Sequence, residues 1–169
     1  LLDTYLYNAI TVSLMLIIYG ILFIIVERRN KGKEERVKDL KSISIKDALI
    51  IGIFQILALI PGTSRSGATI LGAILIGVSR GVAAEFTFFL AIPVMVGASL
   101  FKMLKFIGEG FVMVSSEWVI LIVGLLTAFI VSIIAIKFLM SYIKKNDFQA
   151  FGVYRIILGL IAVSYTHLR

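Results

Sequence analysis

Arg65 is the residue around which chemistry can be built. It lies in Leu59-Ile60-Pro61-Gly62-Thr63-Ser64-Arg65-Ser66-Gly67-Ala68-Thr69, a polar stretch bounded by glycines. A guanidinium presents a planar fork that matches two phosphate oxygens. The hydroxyls of Ser64, Ser66 and Thr69 can bind further oxygens. Gly62 and Gly67 permit backbone geometries closed to other residues, so successive N–H groups can converge on one anion. Ser66 or Gly67 is the expected cap of a helix beginning near Ala68, whose N-terminal dipole favours negative charge. Ser66 and Thr69 are three apart, which sets their hydroxyls together over that helix start. The chemistry implied is phosphate binding. The competing reading is a plain Pro-Gly turn capped by Ser and Thr, but such a turn has no use for an arginine. In apolar surroundings that charge costs at least ~2.5 kcal/mol.

Other polar residues in apolar stretches are Gln55, Glu85 and Arg155. Gln55 precedes the break and is placed to hydrogen-bond either the loop or a neighbouring helix. Glu85 is expected to pair with Arg80 or Arg155. Phosphoanhydride hydrolysis also needs an activated water or nucleophile, with a carboxylate or histidine as base. No two carboxylates converge in a spanning segment, and the single histidine is His167, near the end. The residues alone therefore argue for an anion site rather than a complete active site. They offer no metal ligand set either: cysteine is absent, which excludes a disulfide framework and a Cys/His zinc site.

The elements that position this loop belong to a membrane protein. Hydrophobic residues make up 60% of the 169, and mean hydropathy is +1.05, beyond the apolar share of a soluble domain. Of the 17 basic residues, eight fall in 27–46: Arg28, Arg29, Lys31, Lys33, Arg36, Lys38, Lys41 and Lys46. A basic loop between apolar spans marks the cytoplasmic side. No aromatic residue interleaves with these cations, so the net charge of +7 does not indicate nucleic acid.

The expected class is all-α: polytopic transmembrane helices with a re-entrant broken helix pair. Spans are expected at about 4–26, 82–105, 118–140 and 148–163, with Pro93 kinking the second without ending it. Trp118 and Tyr142 serve as interfacial anchors. Ser44 is an expected N-cap, and 33–39 is expected as a short interfacial helix. Residues 48–78 form the helix–loop–helix. Its first arm gives roughly 20 Å of helix, short of a crossing, and Pro61-Gly62 turns it near the middle of the membrane. Loop 27–46 and a turn at Lys144-Lys145 would face the cytoplasm, provided the broken pair returns to the side it entered from. Two stripes of small residues, Gly124-Ala128-Ser132-Ala135 and Gly152-Gly159-Ala162, are expected packing faces. The chain opens on Leu1 and reads as a piece of a longer protein; 164–169 reads as a doubtful tail.

The stretch Gln55 to Thr69 closely resembles the undecaprenyl-diphosphate phosphatases, bacterial membrane enzymes linked to bacitracin resistance. The likeness continues through Gly77-Val78-Ser79-Arg80, Ala84 to Pro93 and Tyr154-Arg155-Ile156-Ile157-Leu158-Gly159. It implies hydrolysis of undecaprenyl diphosphate to undecaprenyl phosphate for cell-wall synthesis. The implied setting is the plasma membrane, with the site on the extracytoplasmic side and a divalent cation, Mg or Ca. The implied fold is an inverted repeat with two re-entrant pairs, of which this chain is similar to one half. By position, Arg65 would clamp the diphosphate, Ser64 and Thr69 would hydrogen-bond its oxygens, and Ser66, Gly62, Gly67 and Gln55 would shape the cradle.

That family also carries an acidic N-terminal motif with a serine and a histidine, which supply the base and metal ligands. This motif is missing here, so the expected partners are the missing N-terminal half, the polyprenyl diphosphate and the bilayer, with a homodimer left open. The chain alone is expected to be inactive. A lipid-phosphate transporter or flippase half, which binds without hydrolysing, is the alternative; a small non-catalytic membrane subunit is the third reading.

Overall fold

The computed structural model describes residues 8–110 and 114–167. Residues 4–7 of the first expected span, 111–113 of the outer loop and 168–169 of the tail lie outside the described residues. Six α-helices are described: α1 (Ala9–Asn30), α2 (Ile45–Ile56), α3 (Arg65–Leu75), α4 (Arg80–Gly108), α5 (Ser115–Lys145) and α6 (Gln149–His167). The helices α1, α4 and α5 are long and apolar enough to cross a bilayer. The helix α6 runs antiparallel to α1 along its length. Gly152 meets Gly20 and Phe23, and Gly159 meets Ser13 and Leu16.

Missing side chains make that crossing close. A Cβ on Gly20 would stand 2.7 Å from the Gly152 carbonyl oxygen, and one on Gly159 would stand 2.9 Å from that of Ser13. Lipid tails offer no hydrophobic drive to pair helices, so close backbone packing supplies the attraction. The expected stripe at Gly152 and Gly159 is thus a packing face, and its partner is α1. The other stripe has no such partner: Gly124 has nothing within 4 Å of its Cβ position, and α5 is exposed throughout 124–135. Trp118 and Tyr142 stand near the two ends of α5, about 36 Å apart at the α-helical rise. That spacing suits two interfaces flanking a hydrocarbon core of ~30 Å.

The helix pair α2–α3 is re-entrant. Ser44 caps α2 through a capping box with Asp47, as its sequence position implies. A 3₁₀ turn at Leu57–Leu59 leads to the loop, and α3 returns. Both ends of the pair are fastened at one level. The Arg36 guanidinium pairs with Asp47 at the start of α2 and donates through Nε to the Ile76 carbonyl just past α3, at 3.1 Å. Asn30, at the end of α1, donates to the Ile74 carbonyl at 3.1 Å.

Three sequence expectations are corrected. Residues 33–39 form no helix. Val37 is buried and pairs with Val78 in an isolated parallel bridge, because that segment's one apolar side chain is used as an anchor rather than as a helix stripe. There is no turn at Lys144-Lys145, since α5 continues through both. Gly62, at the tip of the pair, presses on Val12, 18 residues from Asn30 along α1, or about 27 Å from the basic end. Glu85 pairs with neither expected arginine, because both are engaged elsewhere. Pro93 sits within a continuous α4, consistent with a break that does not end the helix.

Candidate functional site

The loop at the re-entrant tip is shaped by one glycine and one serine. Gly62 has φ +88°, a left-handed conformation that side-chain-bearing residues rarely adopt. A Cβ there would also meet the Val12 backbone at 2.5–2.7 Å. Ser64, rather than Ser66 or Gly67, is the N-cap of α3: its Oγ accepts from the Gly67 N–H at 3.1 Å. The helix therefore starts three residues before Ala68. Arg65 and Ser66 become its first two residues, whose N–H groups have no intrahelical acceptor.

These positions bring Ser64, Arg65 and Ser66 to one exposed edge. The Ser64 and Ser66 hydroxyls are 3.1 Å apart. Arg65 is exposed, and its Nη2 reaches the Met95 sulfur of α4 at 3.1 Å. A thioether is a weak acceptor, and no ion pair among the described residues involves Arg65. The arrangement is a cation, two hydroxyls and a helix N-terminus open to an anion.

Thr69 is placed differently. It is 1% exposed. Its hydroxyl lies 3.1 Å from the Arg65 and Ser66 carbonyls and 2.9 Å from the Thr87 hydroxyl of α4. It fastens α3 to α4 behind the edge and does not stand beside Ser66 on it. Gly67 is buried and makes room: a Cβ there would lie 3.4 Å from Arg155 Nη1 and 3.1 Å from Ser64 Cβ. Gln55, half-buried on α2, donates no side-chain hydrogen bond to the loop.

Behind the loop lies Arg155, which the sequence singles out, with Tyr19 and Thr63, which sequence reasoning passes over. Arg155 of α6 is 4% exposed. Its Nη2 donates to the Gly62 carbonyl at 2.9 Å, and its guanidinium stands 5.8 Å from the Tyr19 ring centroid. Thr63 is buried beside it. No local pattern announces Tyr19 or Thr63 as partners of a residue more than 90 positions on. At the opposite end, Glu27 is 1% exposed and receives Arg80 Nε and Nη2 at 2.6–3.0 Å. It also accepts from the Phe148 N–H at 3.2 Å, joining α1, α4 and the start of α6.

A cavity of about 1010 Å³ opens at that basic end, far from Arg65. Its lining balances Lys31, Lys33, Lys38 and Arg80 against Glu27, Glu34, Glu35 and Asp147, so it holds no net attraction for an anion. Among the described residues no three Asp, Glu, His or Cys side chains converge on a metal position. The described residues offer no ligand set that fits a divalent cation.

The fold defines a class: an all-α, multi-pass membrane protein with a broken helix pair, α2–α3, between its first and second long spans. The chain belongs to the bacitracin resistance protein BacA family, whose model matches residues 1–161. It is 62% identical over 164 residues to an undecaprenyl-diphosphatase of Enterococcus faecalis, covering 97% of this chain and 59% of the relative. A relative of that name from Acetivibrio thermocellus is 62% identical over 163 residues, covering 96% and 59%. Another, from Lachnoclostridium phytofermentans, is 64% identical over 159 residues, covering 94% and 57%. The chain thus spans somewhat over half the length of these relatives.

Proposed function

We propose that this chain carries the diphosphate-binding part of an undecaprenyl-diphosphatase. The reaction is hydrolysis of undecaprenyl diphosphate to undecaprenyl phosphate and inorganic phosphate, which returns the lipid carrier to peptidoglycan synthesis and confers bacitracin resistance. The observation that carries the reading is the Ser64-Arg65-Ser66 edge at the start of α3, an unpaired cation beside free N–H groups in a family whose relatives are named for this substrate. In the reaction, water attacks the terminal phosphorus and the bridging P–O bond breaks, with the lipid phosphate leaving. The Arg65 fork and the α3 N-terminus stabilise the charge that gathers on the phosphoryl oxygens. Ser64 holds the helix start, and Thr69 holds α3 on α4.

The base, and the Mg or Ca ion that the family resemblance implies, come on this reading from the part of the relatives that this chain does not match. The two parts would form the halves of an inverted-repeat site. The membrane is the bacterial plasma membrane. The cradle faces its extracytoplasmic side, a placement supported by the about 27 Å between the tip and the basic end. The polyprenyl tail lies along the exposed apolar face of α4 at Ile92 and Val96. The bare small-residue stripe of α5 is available to a homodimer contact. A transporter half has no observation of its own in its favour.

The test is phosphate release from a long-chain polyprenyl diphosphate in detergent with Mg or Ca. This chain is assayed alone and co-expressed with the unmatched N-terminal part of a relative. Activity only in the co-expressed pair, abolished by Arg65→Ala, supports the reading. A folded pair that binds the lipid without releasing phosphate overturns hydrolysis.

A further inference from the structure

The loop at the re-entrant tip is flanked by two guanidiniums, and they differ in kind. Arg65 lies on the open edge, exposed to its surroundings. Arg155 lies behind the loop, 4% exposed. Of its five N–H donors, the described residues engage one, Nη2 on the Gly62 carbonyl, and the buried Nε has no partner.

The Tyr19 ring and one carbonyl are its polar company, and no carboxylate among the described residues pairs with it. Glu27 is committed to Arg80 and the Phe148 N–H. Glu85 is exposed on α4 and forms no ion pair among the described residues. A buried cation left without a counter-charge is costly, and in membrane proteins such residues mark functional sites.

We propose that Arg155 is a specificity-determining residue of the phosphate site, its buried charge making the site prefer a diphosphate to a monophosphate. This rests on the phosphate reading of the loop and deepens it. The Arg65 fork binds two oxygens, which either headgroup supplies, and its exposure leaves its charge screened. It therefore rewards the two anions nearly alike. The Arg155 charge is fixed by Gly62 and Tyr19 and shielded from solvent, so its field at the cradle rewards total anionic charge. A diphosphate carries more negative charge than a monophosphate. The site would thereby hold substrate in preference to the lipid monophosphate product. Arg155 acts through the loop and touches no reacting atom, so it is a positioning residue rather than a catalytic one.

The test uses the 169-residue chain in nanodiscs of phosphatidylcholine, titrated with inorganic pyrophosphate and with inorganic phosphate at fixed pH. The wild-type chain is expected to prefer pyrophosphate by about tenfold or more. Arg155→Lys keeps the charge and should keep most of that preference. Arg155→Gln removes the charge and should cut the preference to about threefold or less while phosphate binding persists. Should Arg155→Gln not fold, the wild-type chain still decides the matter. A preference set by a buried charge survives added salt up to about 0.5 M, whereas one set by exposed Arg65 collapses.

A preference unchanged in Arg155→Gln, lost equally in Lys and Gln, or erased by salt overturns the proposal and leaves the phosphate site standing. Binding of neither anion by the wild-type chain removes both.

Discussion

Gly62→Ala is the substitution that most directly loads the architecture of the tip. Two costs follow from the structure. The left-handed backbone at φ +88° penalises any side chain by about 1–2 kcal/mol. The new Cβ would also stand 2.5 Å from the Val12 carbonyl oxygen, so the loop must retreat by roughly 0.9 Å to reach ordinary contact at 3.4 Å. Helix α1 is pinned by α6 and cannot yield instead. Retreat from α1 stretches the 2.9 Å bond from Arg155 Nη2 to the Gly62 carbonyl beyond hydrogen-bonding range. Losing a bond to a charged group costs about 1.5–3 kcal/mol. The expected total is about 2.5–5 kcal/mol, a large share of the ~5–15 kcal/mol that holds a typical domain together. Unfolding by graded detergent denaturation measures it. Gly52→Ala is the matched control, because Gly52 lies inside α2 with nothing within 4 Å. That change should be neutral or stabilising, by up to about 1 kcal/mol. A Gly62→Ala chain within about 1 kcal/mol of wild type, with anion affinity retained, would refute the packing argument.

Two further outcomes are expected at the basic end. Glu27→Gln should destabilise the chain by about 3 kcal/mol, the low end for breaking a buried pair, because Arg80 is 34% exposed and can rehydrate; a melt within 1 kcal/mol of wild type would contradict the three-helix junction. The Arg36 guanidinium and the Ser44 hydroxyl hold the Asp47 carboxyl down at about 2, against an ordinary 3.8. A depressed carboxylate contributes stability that is complete above its unfolded value and is lost as pH falls through its folded one. Protease nicking of the basic loop should therefore stay constant down to about pH 4 and rise between about pH 4 and 2. Asp47→Asn should be nicked at neutral pH as readily as wild type is in acid, and equal resistance of the two at neutral pH would refute the assignment.

Much of this fold is legible in the sequence wherever the determinant is local. The Ser44–Asp47 capping box needs only a serine and an acid three residues apart. The broken pair follows from two apolar arms too short to cross, and the exposed Arg65 and Ser66 follow from the polar composition of the loop itself. The sequence reading failed where a partner is fixed by tertiary approach. Arg155 meets Gly62 from 93 positions away and Glu27 meets Arg80 from 53, contacts that only the packing of distant helices brings about. The small-residue stripe of α6 was visible, but its receiving glycine, Gly20, is a lone one in an unpatterned span. Thr69 has the right spacing for the cradle, yet Thr87 on α4 draws its hydroxyl inward. The cap moved from Ser66 to Ser64 because the turn at Gly62 ends sooner than glycine spacing alone indicates, which shifts every later residue on α3 by most of a turn.

The central claim is that a diphosphate headgroup sits at the Ser64-Arg65-Ser66 edge. The direct measurement is photocrosslinking with a polyprenyl diphosphate analogue carrying its photoreactive group beside the headgroup, mapped by mass spectrometry on the chain in nanodiscs. The account predicts labelling concentrated between Ile60 and Thr69 and near Met95, competed by pyrophosphate and lost in Arg65→Ala. Labelling spread along the exposed face of α5, indifferent to pyrophosphate and to Arg65, would contradict it.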